Sequence, residues 1–131
     1  MLEAHEIAVL FDRHARGLSI YAAQWTELAD DCVQEAFCDL ARQAEPIANP
    51  SAWLFRAVKN RALNSIRGET RRRRRERIAA KFEQRPDTGA ATFDRMAIAE
   101  AMESLPDDLR EIVLLRIWSS LTLSELSLIH I

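Results

Sequence analysis

Glycine and proline are scarce in this chain of 131 residues, with three and four copies. Both residues interrupt helices, whereas Ala, Leu, Arg and Glu, which favour helices, are frequent. The composition therefore predicts an all-α fold. No run of eighteen apolar residues occurs, so we expect no membrane-spanning helix. The first ten residues contain Glu3 and Glu6 and no Lys or Arg, unlike a secretory signal peptide, so we expect a cytoplasmic protein.

Residues that could form a disulfide, a metal site or a catalytic group are also few. The two cysteines, Cys32 and Cys38, lie six positions apart on one predicted helix, where they point to different faces and do not pair. The three histidines are scattered, so we expect no metal site and no cofactor. The sequence has no Gly-rich phosphate loop, no HExxH and no serine elbow, and we therefore expect a protein that is not an enzyme.

Charge is distributed unevenly along the chain. Residues 1–45 hold three basic and nine acidic residues, residues 56–77 hold ten and two, and residues 78–131 hold five and nine. Seven arginines fall within residues 67–77: Arg67, Arg71, Arg72, Arg73, Arg74, Arg75 and Arg77. Such a run repels itself, and the arginine fork suits phosphate oxygens, so this pattern favours nucleic acid as a partner over a solvated charged face.

Hydrophobic spacing predicts six helices. The first runs from about Leu2 to Tyr21 with a bend or break at Gly17, and the second starts at an N-cap Thr26 and ends near Ala44. Asn49-Pro50 starts the third helix, which we expect to continue into the arginine run. The fourth covers about Phe93–Leu105, the fifth starts at Pro106, and a capping box at Thr122–Glu125 opens the sixth.

Residues 83–92 (EQRPDTGAAT) are the best linker candidate, because Pro86, Asp87 and Gly89 fall within ten positions. We therefore predict a domain over residues 1–82, a linker over 83–92 and a second domain over 93–131.

The third predicted helix has a polar side that could bind nucleic acid. It combines charges with amides, which can pair with base edges: Arg56, Lys59, Asn60, Arg61 and Asn64. Trp53 and Phe55 could stack on an unpaired base, although the spacing of Trp53 favours the core. On the second helix, Asp31, Gln34 and Glu35 could form a patch for a basic protein surface, or a solvated face.

Three stretches together resemble the extracytoplasmic-function (ECF) sigma factors of the sigma-70 family. DDCVQEAFCDLAR (Asp30–Arg42) is similar to their region 2.2, and WLFRAVKNRALNSIR (Trp53–Arg67) to their regions 2.3 and 2.4. AMESLPDDLREIVLLRIWSSLTLSEL (Ala101–Leu126) is similar to the start of region 4, and all three occur in family order. Cys32 stands where the family has a large aliphatic residue.

The resemblance implies a sigma factor that directs RNA polymerase to promoters. Region 2.2 would bind the clamp helices of the largest subunit of core RNA polymerase, through Asp30, Asp31, Gln34 and Glu35. The loop 47–51 (here Ile47, Asn49 and Ser51) would hold a flipped base of the promoter −10 element. Asn60 would contact the same element, and further contacts to promoter DNA would come from Arg56, Lys59, Arg61, Asn64, Arg67 and Arg71 to Arg75. An anti-sigma factor is a further candidate partner.

Region 4 of the family continues into a recognition helix that reads the −35 element in the major groove. This sequence stops at Ile131, so we expect an incomplete helix-turn-helix joined by the linker to a helical region 2 domain. Two other functions remain open: a stand-alone arginine-rich helical nucleic-acid-binding module, and a protein–protein adaptor that uses the apolar helix Leu109–Trp118.

Overall fold

The computed structural model describes residues 2–64, 71–82, 92–119 and 121–130. These residues form helices and short connections without a strand, which confirms the all-α prediction. The elements are α1 (Ala4–Ala22), α2 (Ala29–Ala41), α3 (Pro50–Asn64), α4 (Arg71–Phe82), α5 (Thr92–Glu103), α6 (Asp107–Val113), a π-helical segment (Leu114–Trp118) and α7 (Leu123–His130). None of the helices in these ranges combines the length and apolar character needed to cross a membrane.

Helices α1, α2 and α3 pack against one another in pairs. Leu18 and Tyr21 of α1 are fully buried, as is Phe55 of α3. The rings of Tyr21 and Phe55 pack edge to face, with their centres 5.3 Å apart. Leu40 contributes from α2. This three-helix unit fixes the relative positions of the two helices whose polar faces are the predicted binding surfaces.

Two predicted helix starts are confirmed. The side chain of Asn49 accepts a hydrogen bond from the Ala52 N–H at 3.1 Å, which caps α3. Thr122 and Glu125 form the reciprocal capping box of α7, with the Glu125 N–H donating to the Thr122 hydroxyl at 3.2 Å and the Thr122 N–H donating to the Glu125 carboxylate at 3.0 Å.

Three details of the predicted helices are wrong. Helix α1 runs unbroken from Ala4 to Ala22 with Gly17 buried inside it, so a division of the helix at Gly17 is wrong. Thr26 is not the N-cap of α2, which begins at Ala29, because the turn after α1 keeps Thr26 bonded to Ala22, and its hydroxyl accepts the Leu28 N–H. Helix α2 ends at Ala41, before the position that Pro46 alone suggests.

The C-terminal elements pack onto the N-terminal ones. Helix α7 contacts α3, the π-helical segment contacts α1, and α4 contacts α1 and α5. Buried Leu114, Leu115 and Leu121 belong to the same hydrophobic cluster as Leu18 and Val58. The domain boundary predicted at 83–92 stays a prediction, and residues 83–91 lie outside the described residues.

Candidate functional site

The polar side of α3 presents a row of three exposed side chains at four-residue spacing: Arg56, Asn60 and Asn64. This spacing places them on one face of the helix. Within the described part of the chain, none of the three makes a hydrogen bond or ion pair. We call this row the α3 stripe. It offers one guanidinium and two amides to a partner, a combination that suits phosphates and base edges.

Lys59 and Arg61, the other two polar residues predicted on α3, are held by acidic residues. The Lys59 ammonium lies 2.9 Å from a carboxylate oxygen of Glu111 on α6. Arg61 binds both Glu35 and Asp39 of α2, and the hydrogen bond with Asp39 raises the pKa of its guanidinium. Arg61 therefore joins α3 to α2.

The predicted polymerase face of α2 is divided in the same way. Asp30 accepts hydrogen bonds from the Ser19 hydroxyl at 2.6 Å and from the Lys81 ammonium at 2.9 Å, and these bonds lower the pKa of its carboxyl. Glu35 is engaged by Arg61. Asp31 and Gln34 are exposed and make no hydrogen bond or ion pair with other described residues.

An open surface hollow connects the two faces. Its lining includes Asp31 and Glu35 from α2 and Arg61 and Asn64 from α3, together with Leu28 and Cys32. The residues predicted to bind polymerase and those predicted to bind DNA are therefore neighbours on one side of the molecule.

The predicted base-capture loop precedes α3. Ile47 is half-buried, and Asn49 uses its side chain to cap the helix. Ser51 is buried, with its hydroxyl 2.8 Å from the Nε2 atom of His14 on α1. His14 is itself buried, and desolvation lowers its pKa, with a further lowering from Arg13 and an opposing effect of Glu125. The loop is thus tied at its downstream end to α1.

The arginines of α4 are also largely paired. Arg72 bonds Glu76 on the same helix at 2.9 Å, Arg73 pairs with Glu27, and the Arg74 Nε donates to Glu103 at 2.8 Å. Arg75 is half-buried. Arg67, the side chain of Arg71 and the predicted continuation of α3 through residues 65–70 lie outside what the structure describes.

The aromatic residues divide between core and surface. Phe55 is fully buried and packs edge-on against His14, which excludes it as a residue that could stack on a base. The reason is that α3 contacts α1, α2 and α7 and buries more than one narrow face. Trp53 is half-buried against the core, as its spacing predicts.

The sequence pattern missed three residues near the site. Trp25 lies below Lys59, with the ammonium 5.9 Å from the ring centre. Gln24 is buried and accepts a hydrogen bond from Arg110. His14 anchors Ser51. No local signal marks them, since each acts through a partner at least 34 positions away in the sequence.

Metal-binding residues do not cluster in the described ranges, where no group of three His, Cys, Asp or Glu side chains is arranged to hold an ion. Cys32 is buried, Cys38 is exposed, and neither forms a disulfide, which agrees with their predicted placement on different faces.

Residues 10–72 match the family model described as Sigma-70 region 2. This stretch covers most of α1 and all of α2 and α3, and it includes the α3 stripe and the polar face of α2. The match makes this segment, slightly less than half of the chain, similar to region 2 of the sigma-70 family. Comparison with curated proteins and with solved structures gives no match.

Proposed function

We propose that this chain is a sigma factor of the extracytoplasmic-function type, which binds core RNA polymerase through α2 and recognises the promoter −10 element through α3. The observation that carries the proposal is the adjacency of two exposed polar faces within the matched segment. Asp31 on α2 and Asn64 on α3 line the same surface hollow, and Gln34 is exposed three positions after Asp31 on α2.

The two faces suit different partners. The α2 face presents Asp31 and Gln34 without partners among the described residues, and the carboxylate of Asp31 complements a basic protein surface such as a clamp helix. The α3 stripe has no acidic member and combines a guanidinium with two amides, which suits DNA. Its amides could bind the edges of unpaired bases, which is what recognition of an opened −10 element requires.

The experiment uses the full chain, core RNA polymerase and a DNA library with a randomised, pre-melted −10 segment. We expect Gln34→Ala to weaken co-elution with core enzyme. Asn60→Ala should leave co-elution unchanged and reduce retention of the selected DNA by about tenfold, as expected for the loss of a base contact worth about 1–3 kcal/mol. Both side chains are exposed, so these substitutions spare the core.

The same assay tests the competing function. A stand-alone nucleic-acid-binding module, favoured by the exposed Arg72 and Arg73 of α4, would bind this DNA equally well without polymerase and with a steep salt dependence. Absence of co-elution with core enzyme together with such binding would replace the sigma factor proposal by the module.

A further inference from the structure

The C-terminal helices contribute a buried carboxylate to the basic side of α3. Glu111 of α6 has a side chain that is only 5% exposed, and its two oxygens lie 2.9 and 3.1 Å from the Lys59 ammonium. Lys59 is 27% exposed and also stacks over Trp25. Burial raises the pKa of the neighbouring Tyr21 hydroxyl, and the Glu111 carboxylate raises it further, which keeps that hydroxyl neutral.

Arg110, next to Glu111, fixes α6 in place. Its side chain is 2% exposed, and its guanidinium donates to Gln24 at 3.1 Å and to Asp107 at 2.5 Å. A buried guanidinium is tolerated only where its donors have partners. Gln24 supplies one of them from the turn that follows α1, so the contact between α6 and the N-terminal half is specific.

A second acidic residue of the C-terminal segment pairs with an arginine of helix α4. Glu103 at the end of α5 is 6% exposed and receives two hydrogen bonds from Arg74, which is 25% exposed. Two of the cations predicted to bind DNA, Lys59 and Arg74, are therefore covered by carboxylates from the segment that follows the predicted linker.

We propose that the carboxylates of Glu111 and Glu103 compete with nucleic-acid phosphates for Lys59 and Arg74, respectively. This inference rests on the DNA binding proposed above. A carboxylate bound to a lysine or an arginine occupies the donors that a phosphate would use. Because a buried carboxylate without its cation is costly, the exchange requires Glu103 or Glu111 to become solvated as the phosphate takes its place. The chain then binds DNA with full strength only when α5 and α6 release these cations.

The test measures binding of the full chain to a 20-base-pair DNA duplex at several salt concentrations. We expect Glu111→Gln to raise the affinity about three- to tenfold at low salt. The plot of log affinity against log salt should steepen by about one unit, since one further cation contacts phosphate. Glu103→Gln should raise the affinity and steepen the salt dependence in the same way through Arg74. This variant tests the proposal if the Glu111→Gln chain does not fold.

Two controls separate this effect from a general change in charge. Glu100→Gln on α5 removes the same charge from an exposed residue that forms no ion pair with the described residues, and should leave the salt slope unchanged. Adding Lys59→Ala to Glu111→Gln should return the slope to that of the unaltered chain. Together these results would assign the gain to Lys59.

The failures are distinguishable. If the unaltered chain binds DNA and Glu111→Gln and Glu103→Gln bind it with the same affinity and slope, this inference is overturned and the proposed function stands. If no form of the chain binds DNA, alone or with core polymerase, both are overturned.

Discussion

His14 is the residue on which the start of α3 most depends. Its Nε2 atom bonds Ser51 at 2.8 Å, its ring packs on Phe55, and its Nδ1 atom has no hydrogen-bond partner among the described atoms. Protonation would place a charge in this buried site. Desolvation accordingly lowers the pKa of His14 below its usual value of about 6.5.

This lowered pKa predicts a loss of stability in acid. Between the pKa of the folded state and the unfolded-state value near 6.5, the unfolded chain binds a proton that the folded chain does not. The free energy of unfolding therefore falls as the pH falls below about 6.5. Urea denaturation at pH 7.5 and 5.5 should show a smaller fall for His14→Gln than for the unaltered chain.

His5 provides the control, because it is exposed on the same helix. His5→Gln should follow the unaltered chain at both pH values. Equal falls for His14→Gln and the unaltered chain would show that carboxyl groups, such as the hydrogen-bonded Asp30, cause the acid sensitivity instead.

Two asparagines, one at the start of helix α3 and one within it, have different structural roles. Asn49 uses its side chain to cap the helix, whereas Asn60 is exposed on the α3 stripe. We expect Asn49→Ala to lower the free energy of unfolding by about 1 kcal/mol through loss of the cap. Asn60→Ala should change it by less than about 0.5 kcal/mol. Chemical denaturation of both variants checks the pair, and similar losses would mean that Asn60 is also structural.

The elements show which parts of the fold can be predicted from sequence. The cap at Asn49 and the capping box of Thr122 and Glu125 were predictable because each joins residues three positions apart. Thr26 carries a similar signal and misleads, because the turn that ends α1 keeps its backbone bonded to Ala22. Phe55 was misjudged because the burial of α3 depends on helices distant in the sequence.

The candidate site was predictable only in outline. Arg56, Asn60 and Asn64 follow from helical spacing and are exposed together. The pairing of Lys59 with Glu111 links residues 52 positions apart, and no local pattern encodes such a contact. Arg61 of α3 likewise pairs with Glu35 and Asp39 of α2, which are distant in the sequence. These ion pairs join two helix faces that the sequence pattern predicts as separate sites.

The whole molecule has a hydrophobic cluster that includes residues from both halves of the chain. Leu115 of the π-helical segment is fully buried in it, whereas Leu109 on α6 is exposed. We expect Leu115→Ala to lower the stability of the entire chain by about 2–5 kcal/mol and Leu109→Ala to have little effect. The unfolding midpoints seen by circular dichroism and by tryptophan fluorescence should shift together.

Independent domains on either side of residues 83–92 would give a different result. Leu115→Ala would then unfold the C-terminal part early and leave the transition of α1, α2 and α3 unchanged. Two separate unfolding transitions in the unaltered chain would also indicate independent domains. This comparison decides whether the predicted domain boundary is also a boundary of cooperative unfolding.

The bond between Gln24 and Arg110 spans 86 positions, and that between Lys59 and Glu111 spans 52. Chains are synthesised from the N-terminus at about 5–20 residues per second, and they begin to fold during synthesis. Helices α1, α2 and α3 are therefore complete several seconds before Glu103 and Glu111 have been made. During that interval a newly synthesised chain presents Lys59 with no carboxylate from α6 against it, so polyanions near the ribosome meet this surface in its most accessible form.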